Sequence, residues 1–543
     1  MSIFDGIKNA LRRGGDGVAE TISGNAHVKQ IWDLEDIPSF RQFWQDGIFP
    51  WKYIYKGYYE PWHNIPDPTI ADSRRTRKLH RLNAGKFIAQ TMARYIWGEQ
   101  CSVTVNRAGS KDGEDDVLNL FVAGVLNRNN FYNKLSDLYE QGAALGGGCV
   151  KTWCELAPGG EEPEKKIQLS YHMADQFIPV DWTNADVTGG VFISREARKG
   201  YYYTRLEKHR FSGNVYVITN RLYRERSEDV SSAQREGIEP QTVLGWECPL
   251  DTLYPMIAPY AEIQALDKSL FAYFKPSGAN NLDDNSPLGI SIYANAMDTL
   301  HAIDTAFDGF VHEIIMSRKR IIVPIRATTP QVDENGITRR YFDPNDSVYE
   351  AMNFDSAEEL KIQEMQSTLR VDAYVSAINA LLSILCVQIG WDAGTLSFDK
   401  ATGLKTATEI ISENSKTYST VKTHQTILKT AIEKTVHNII NIAVLYGVTF
   451  QGKSIAALMQ DGYEISVHFD DSIIQDRQTD INEGVLLNGA GLLSKKRFMT
   501  ETLGYTDEEA QKELLEIAAE SKVGAPDLDD LGGQFDESGQ GDE

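Results

Sequence analysis

Between Ser291 and Gly447 the apolar positions fall into longer and more regular arrays than anywhere else in the chain. Ala296, Leu300, Ile303, Phe307, Phe310, Val311, Ile314 and Ile315 recur at spacings of three and four, one stripe of a helix ending near Arg320. Asn295 with Asp298 supplies a cap, and early acids followed by the late bases Arg318, Lys319 and Arg320 suit the helix dipole. At 1.5 Å per residue this helix is about 35 Å long. A compact insertion follows to Asp355. It holds a short β run ending at Pro324, a hairpin-turn signal at Glu334–Ile337 and a second turn at Asp343–Asp346. Ser356 and Glu359 read as a capping box that opens a second helix, carried by Leu360, Met365, Leu369, Tyr374, Val375, Ile378, Leu381, Leu382 and Leu385 to Ile389, roughly 48 Å long. Gly390, Gly394 and Gly403 bracket a loop, and a third helix runs without proline from Lys405 to Gly447. Its polar middle, Ser412 to Thr420, predicts a kink.

The rest of the chain is less regular. Residues 1–26 read as a short amphipathic helix and a Gly-rich arm, for which a loosely ordered or partner-docked state is favoured over a membrane-surface role. Residues 27–70 hold eleven aromatics from Trp32 to Trp62, which a core or subunit interface explains more simply than base stacking. A basic cluster (Arg74, Arg75, Arg77, Lys78, Arg81) opens the next helical pattern, up to Glu99; a solvated helix end or an ion-pair surface is favoured over nucleic-acid contact. Gly109–Asp116 is a loop, Val117–Leu145 one helical stretch, and Gly146–Glu155 a turn into a strand. That Gly-rich turn followed by Lys151 and Thr152 fails as a phosphate-binding loop: Cys149 and Val150 separate the last Gly from the Lys, and the order is helix–Gly–strand. Lys165 to Pro259 reads as a meandering sheet, Tyr260–Gly289 as an irregular connector, and Glu464–Ile473 as one more strand. Ser494, and Thr506 with Glu509, cap two short helices before a Gly- and Asp-rich tail at 521–543 that is expected to be disordered.

Composition narrows the function. With 543 residues, 42% hydrophobic, the chain has room for two to four domains and a large core. A formal net charge of −23 argues against tight non-specific DNA binding. Five cysteines (Cys101, Cys149, Cys154, Cys248, Cys386) show neither C-x-x-C nor zinc spacing, and so read as reduced, mostly buried thiols of a cytoplasmic product. The N-terminus lacks a signal-peptide pattern, and no apolar run of about 18 residues is apparent, so no membrane span is expected.

Candidate chemistry is sparse. No HExxH, G-x-S-x-G or dinucleotide-binding glycine pattern occurs. His301 and His312 lie singly in the first long helix. Asp470, Asp471 and Asp476 read as a turn and a helix cap before they read as metal ligands. Neither catalytic residues, metal nor cofactor is expected, and a structural role is favoured.

An ordered set of motifs carries a resemblance. It comprises WKYIYKG (Trp51–Gly57), RLNAGK (Arg81–Lys86) leading to YIWGE (Tyr95–Glu99), ALGGGCVK (Ala144–Lys151), SPLGISIYANAMDTLHAID (Ser286–Asp304), KTATEIISENSKTY (Lys405–Tyr418), and FDDSIIQD (Phe469–Asp476) before NGAGLLSKKR (Asn488–Arg497). Over about residues 27–520 the chain resembles tailed-bacteriophage portal proteins, in particular the minor-capsid/portal group of phages of Gram-positive hosts. The resemblance implies an α+β portal fold assembled as a ring. Its parts would be an N-terminal arm (1–26), a mixed α/β wing (27–290), two stem helices (291–320 and 356–389) flanking a small α/β clip (321–355), a tunnel loop (390–404), a long kinked wing helix (405–447), a wing strand and connector (448–479), a helical crown (480–520) and an acidic tail (521–543).

It further implies a homo-oligomer, usually of twelve subunits, at one capsid vertex of the virion. Assembled in the host cytoplasm, the ring would pass double-stranded DNA inward during packaging and outward during ejection. Its partners would be terminase, then a head–tail adaptor, with the major capsid and scaffolding proteins. The tunnel-loop candidates for facing DNA are Trp391, Asp392, Thr395, Leu396, Ser397, Phe398, Asp399 and Lys400. Arg318, Lys319 and Arg320 would either brush DNA or compensate the helix dipole, and Arg326, Arg339 and Arg340 would offer a docking surface on the clip. An acidic ring suits a channel through which DNA slides without being gripped. The competing readings are another minor head or capsid protein, and a packaging ATPase or nuclease, for which no P-loop or acidic metal cluster is apparent.

Overall fold

The computed structural model describes residues 29–66, 75–98, 101–107, 116–157, 164–184, 186–264, 266–317, 320–324, 329–332, 338–341, 349–352, 363–365, 369–397, 415–459, 462–469, 484–503, 505 and 510–517. Six helices dominate: α1 (Ala84–Ile96), α2 (Val117–Arg128), α3 (Phe131–Leu145), α4 (Met297–Met316), α5 (Val371–Gln388) and α6 (Ser415–Leu445). The chain divides into two compact units. Long helices combined with several separate sheets make a mixed α/β architecture.

The first unit comprises residues 1–93, 102–308 and 424–468. Its largest sheet has six antiparallel strands, in the order Trp246–Cys248, Val215–Arg226, Tyr201–Ser212, Val187–Arg198, Phe177–Trp182, with Tyr260–Gln264 also pairing with Val215–Arg226. A second sheet sets Gly148–Ala157 between Phe271–Phe274 and Glu164–Met173. Residues 165–173 therefore leave the expected meander and pair with Gly148–Ala157 in the second sheet, and the expected irregular connector at 260–289 contributes a strand to each sheet. Short, isolated apolar runs of this kind do not reveal which sheet they join. Phe177, Phe192, Phe271, Val187 and Cys149 form a buried cluster, with Tyr273 packed on it. Ser102–Arg107 pairs with Tyr463–His468 across more than 350 residues of sequence.

Two corrections concern helices of this unit. The single helical stretch expected over 117–145 is two helices, broken where Asn130 turns left-handed at φ 49°. The basic cluster does not open a helix: Thr76–Lys78 is a short strand paired with Asn64–Pro66, and α1 starts only at Ala84. The 146–148 glycines end α3 as expected. Gly146 has φ +91°, and a Cβ there would come within 2.4 Å of the Gly289 carbonyl oxygen. Close backbone approach therefore demands glycine at 146, while a Cβ at Gly148 would meet the Phe274 ring at 2.7 Å. The N-terminal aromatics are core: Trp44 and Trp51 are buried, Trp44 meets Trp32 and Phe49 edge-on, and Trp51 packs on Gly47, where a Cβ would lie 2.9 Å from the ring.

The second unit comprises residues 94–101, 309–423 and 469–543. In its insertion, Arg320–Pro324 pairs in parallel with Tyr349–Met352 and antiparallel with Gln363–Met365, while Thr329–Val332 and Thr338–Tyr341 form an antiparallel pair. The last strand overturns the expected helix start at Ser356. Residues 363–365 close the insertion sheet, and helix begins at Val371, giving 18 residues and about 27 Å. Met365 thus belongs to a strand where a helical stripe was expected, and Leu360 lies outside the described residues. The first long helix likewise ends at Met316, before Arg318, and Asn295 sits in a 3-10 turn accepting from the Asn281 side chain rather than capping α4. Helix α6 is continuous from Ser415 to Leu445; Ser412–Asn414 of the expected kink lie outside the described residues, as do residues 1–28, the turns at 334–337 and 343–346, Asp470, Asp471, Asp476, the Thr506–Glu509 cap and the tail. Ser494 caps its short helix as expected, accepting from the Arg497 amide.

Candidate functional site

The second unit's long helices meet through a small set of contacts. The start of α5 is held to α4 by Glu313, whose carboxylate accepts from the Arg370 backbone N–H at 3.1 Å, its Nε at 3.1 Å and its Nη2 at 2.7 Å. This two-pronged hydrogen bond from Arg370 pulls the Glu313 carboxyl down to about 2. Phe310 and Tyr374 pack ring to ring at 5.6 Å. Outside these contacts both helices keep apolar side chains exposed: Ile314, Ile315 and Met316 at the end of α4, and Val371, Ile384 and Val387 along α5. Helix α5 carries one charged residue, Asp372, and has a mean hydropathy of 1.5. Among the described residues it is the one helix long and apolar enough, by length and composition, to cross a membrane; 22% of it is buried. Its unbroken apolar core in the sequence, within ALLSILCVQIG, is too short to span by itself; Tyr374, Ser376 and Asn379 interrupt the rest.

The loop after α5 is anchored at its beginning. Gly390 turns at φ +84° and its carbonyl accepts from Thr420 Oγ1 at 2.6 Å. Trp391 is buried against Tyr95, with ring centroids 5.8 Å apart. Asp392 accepts from the Thr417 amide and hydroxyl at 3.0 and 3.1 Å, while its own amide donates to Thr417 Oγ1 at 2.9 Å. Thr395 lies 3.3 Å from the same hydroxyl, and Leu396 is buried. Of the candidate loop residues, Trp391 and Leu396 are thus packing residues, Asp392 and Thr395 are tethers to α6, and Ser397 is exposed. Phe398, Asp399 and Lys400 lie outside the described residues, as do Arg318, Lys319 and Arg326. Arg320 opens a strand paired with Met365, and Arg339 and Arg340 pair with Gln331 and Pro330; the structure does not bring these two arginines together with the loop residues.

In the first unit, two carboxylates one turn apart on α4 grip the segment 63–82. Asp304 accepts from the Leu82 amide at 2.8 Å and from His63 Nε2 at 3.1 Å. The Tyr59 amide donates to His63 Nδ1, which leaves the ring proton on Nε2 facing Asp304. Asp308 accepts from Arg77 and from the backbone and Nδ1 of His80. Burial raises the Asp308 carboxyl, but Arg77 and His80 outweigh it and hold it well below the usual carboxylate range. Lys78 and Arg81 both sit over the Tyr58 ring. Of the basic cluster, Arg77 is thus spent inside the chain, on an acceptor 231 residues away that sequence reasoning missed, while Arg75, Lys78 and Arg81 are exposed and Arg74 lies outside the described residues.

Among the described residues no group of three or more His, Cys, Asp or Glu side chains is placed to hold a metal ion. Lys151, tested above as a phosphate-loop lysine, is buried in a strand and donates to Glu207 at 2.7 Å. A cleft of about 890 Å³ opens in the first unit beside α6; of the lysines and the histidine that line it, Lys434 is engaged by Asp186 and His437 by Asp267, and Lys268 and Lys275 also line it.

A family model described as phage portal protein, SPP1 Gp6-like, matches residues 48–524. No curated protein matches the chain.

Proposed function

Since the chain belongs to the SPP1 Gp6-like family of phage portal proteins, we propose that it assembles into a ring, of about twelve subunits, at one vertex of a tailed-phage capsid infecting a Gram-positive host. Double-stranded DNA enters and leaves through the axis. The observation that carries this reading is the apolar surface left open on α4 and α5 (Ile314, Ile315, Met316, Val371, Ile384, Val387), which a single chain in water does not cover and neighbouring copies would. On this reading α5 owes its apolar composition to subunit packing and not to a bilayer. The formal charge of −23 per chain gives the ring a field that repels phosphate, so that DNA slides without the counterion-releasing contacts of a binding protein.

The parts divide as follows. Helices α4 and α5 form the stem, the insertion at 321–355 the clip, and residues 480–520 the crown, with the two large sheets and α6 in the wing. The clip, through Arg326, Arg339 and Arg340, docks terminase and then the head–tail adaptor, while major capsid and scaffolding proteins surround the ring. Because Trp391–Leu396 are anchored, the share of the tunnel loop that faces DNA falls to Ser397 and the residues that follow it.

Purified protein tests the assembly. Native mass measurement and electron microscopy are expected to give rings of about a dozen copies with a central hole wide enough for a duplex. A well-behaved monomer at micromolar concentration, or one that turns over ATP, would sink the reading in favour of another head component or a packaging enzyme. Deletion of residues 398–402 is expected to spare the ring and impair DNA packaging or retention.

A further inference from the structure

Glu207 sits at the junction of the two large sheets of the first unit, and its single carboxylate serves three cationic or protonatable partners. Lys151 reaches it from the three-stranded sheet at 2.7 Å, and Arg205 and His209, on its own strand in the six-stranded sheet, lie at 3.1 and 2.8 Å. Beyond His209 the hydrogen bonds form a directed chain. The Leu270 amide donates to the Tyr216 hydroxyl at 3.1 Å, and that oxygen lies 3.0 Å from His209 Nδ1. With Tyr216 donating to Nδ1, the His209 proton sits on Nε2 and points at Glu207. His172, on the three-stranded sheet, stands 3.2 Å from Ser170 Oγ. The Phe192 ring packs on His172, His209 and Lys151 at 4.7, 5.2 and 4.9 Å, closing the junction to water.

We propose that Glu207 is an acid-sensitive latch: it holds the two sheets together while His172 and His209 are neutral, and charging these imidazoles opens the junction. The charge count supplies the reason. Lys151 and Arg205 already face one carboxylate, so each added imidazolium puts a further cation into a buried site with no second anion to meet it. The remaining titratable neighbours do not relieve this. Cys149 on the Lys151 strand is buried, and burial pushes its thiol up; Tyr216 likewise stays neutral; Lys434, from α6, is engaged by Asp186. Burial pushes His172 down to about 3 and His209 below its ordinary value. Burial disfavours the Glu207 carboxylate too, but the His209 hydrogen bond and the Lys151 and Arg205 charges hold it well below the ordinary range. Both imidazoles are thus less basic folded than unfolded. Above pH 6.5 they cost the junction nothing; below 6.5 its opening becomes about tenfold easier per pH unit for each imidazole that gains a proton on opening.

Hydrogen exchange followed by mass spectrometry on the full assembled chain, corrected for intrinsic rates, reads this opening in strands 148–157, 164–173 and 201–212. Between pH 6.5 and about 5.2, above the range in which unfolded carboxylates titrate, protection is expected to fall by at least about tenfold over that range in the native chain. His172→Gln and His209→Gln are each expected to make that fall shallower. Glu207→Gln is expected to lower protection already at pH 7. Protection independent of pH in the native chain overturns the latch, whether or not the variants fold. An unchanged slope in both histidine variants overturns it as well.

Discussion

Arg77 grips Asp308, 231 residues further along the chain, with two parallel hydrogen bonds of 2.7 and 2.6 Å from its Nη1 and Nη2. The same carboxylate takes two more from His80, so a single side chain on α4 satisfies four donors from the 77–80 segment. Few side chains in the first unit concentrate so much long-range connection in one group.

Asp308→Asn keeps the shape and removes the charge. Arg77, largely buried, then loses its anion, and the unfolding free energy is expected to fall by about 3 kcal/mol in a urea titration. The pH dependence has a fixed sign. The Asp308 carboxyl is held below its unfolded value of 3.8, so its contribution is complete above that pH and is lost as the pH falls further. The variant should lack that acid-labile share, and Arg77→Lys, which cannot form the fork, should lie between the two.

Asp392 and Thr417 tie the start of the loop to α6 by three hydrogen bonds. Asp392→Ala removes two of them and leaves the Thr417 amide and hydroxyl without their acceptor, at an expected cost of about 1–3 kcal/mol. Limited proteolysis should cut within 390–397 at least tenfold faster than in the native chain. Unchanged cleavage would mean that Trp391 burial alone holds the loop.

The local order of the chain was legible where periodicity carries it. The stripe of α4, the pairing potential of 329–341, the Ser494 cap and the glycine turn after α3 all follow from side-chain spacing and backbone freedom. Legibility failed where a residue's role is fixed by a partner remote in sequence. Gln363–Met365 is a strand because Arg320–Ile322 is available to pair with it, and nothing within 356–370 announces that. The loop's tethers were hidden in the same way: Asp392 is an unremarkable loop acid until Thr417 is placed beside it. Among the basic residues, Arg77 looked like surface charge because its acceptor lies in a helix that the sequence presented as an apolar stripe.

Glu313 and Arg370 join the ends of α4 and α5 at an exposed position, where salt screens charge. The Glu313 carboxyl, drawn down from 4.5 to about 2 by Arg370, contributes fully above pH 4.5 and loses its grip between 4.5 and 2. Exchange protection of the Arg370 amide should therefore weaken on acidification through that window and on addition of about 1 M salt. Glu313→Gln should remove most of both responses. Retention of the native pH and salt profile by the variant would show that the helix ends are held by Phe310 and Tyr374 instead.

Gly146 and Gly200 separate two costs that usually come together. Both have left-handed backbone, at φ +91° and +80°. A Cβ on Gly200 meets nothing within 4 Å, so Gly200→Ala should cost only the conformational strain, about 1–2 kcal/mol. A Cβ on Gly146 would lie 2.4 Å from the Gly289 carbonyl oxygen, and a Cβ on Gly289 would lie 2.5 Å from that of Gly146. Here the obstacle is backbone on both sides, which cannot turn away as a side chain would. Gly146→Ala should therefore cost several kcal/mol beyond the Gly200 value, enough to prevent recovery of folded protein or to lower its melting temperature far more. Gly289→Ala, free of the left-handed strain, should still be severe, because the steric part alone remains. Equal melting temperatures for the Gly146 and Gly200 variants would show that the α3 terminus and the Ser286–Ser291 segment can move apart, and that their close approach is not what demands glycine at both positions.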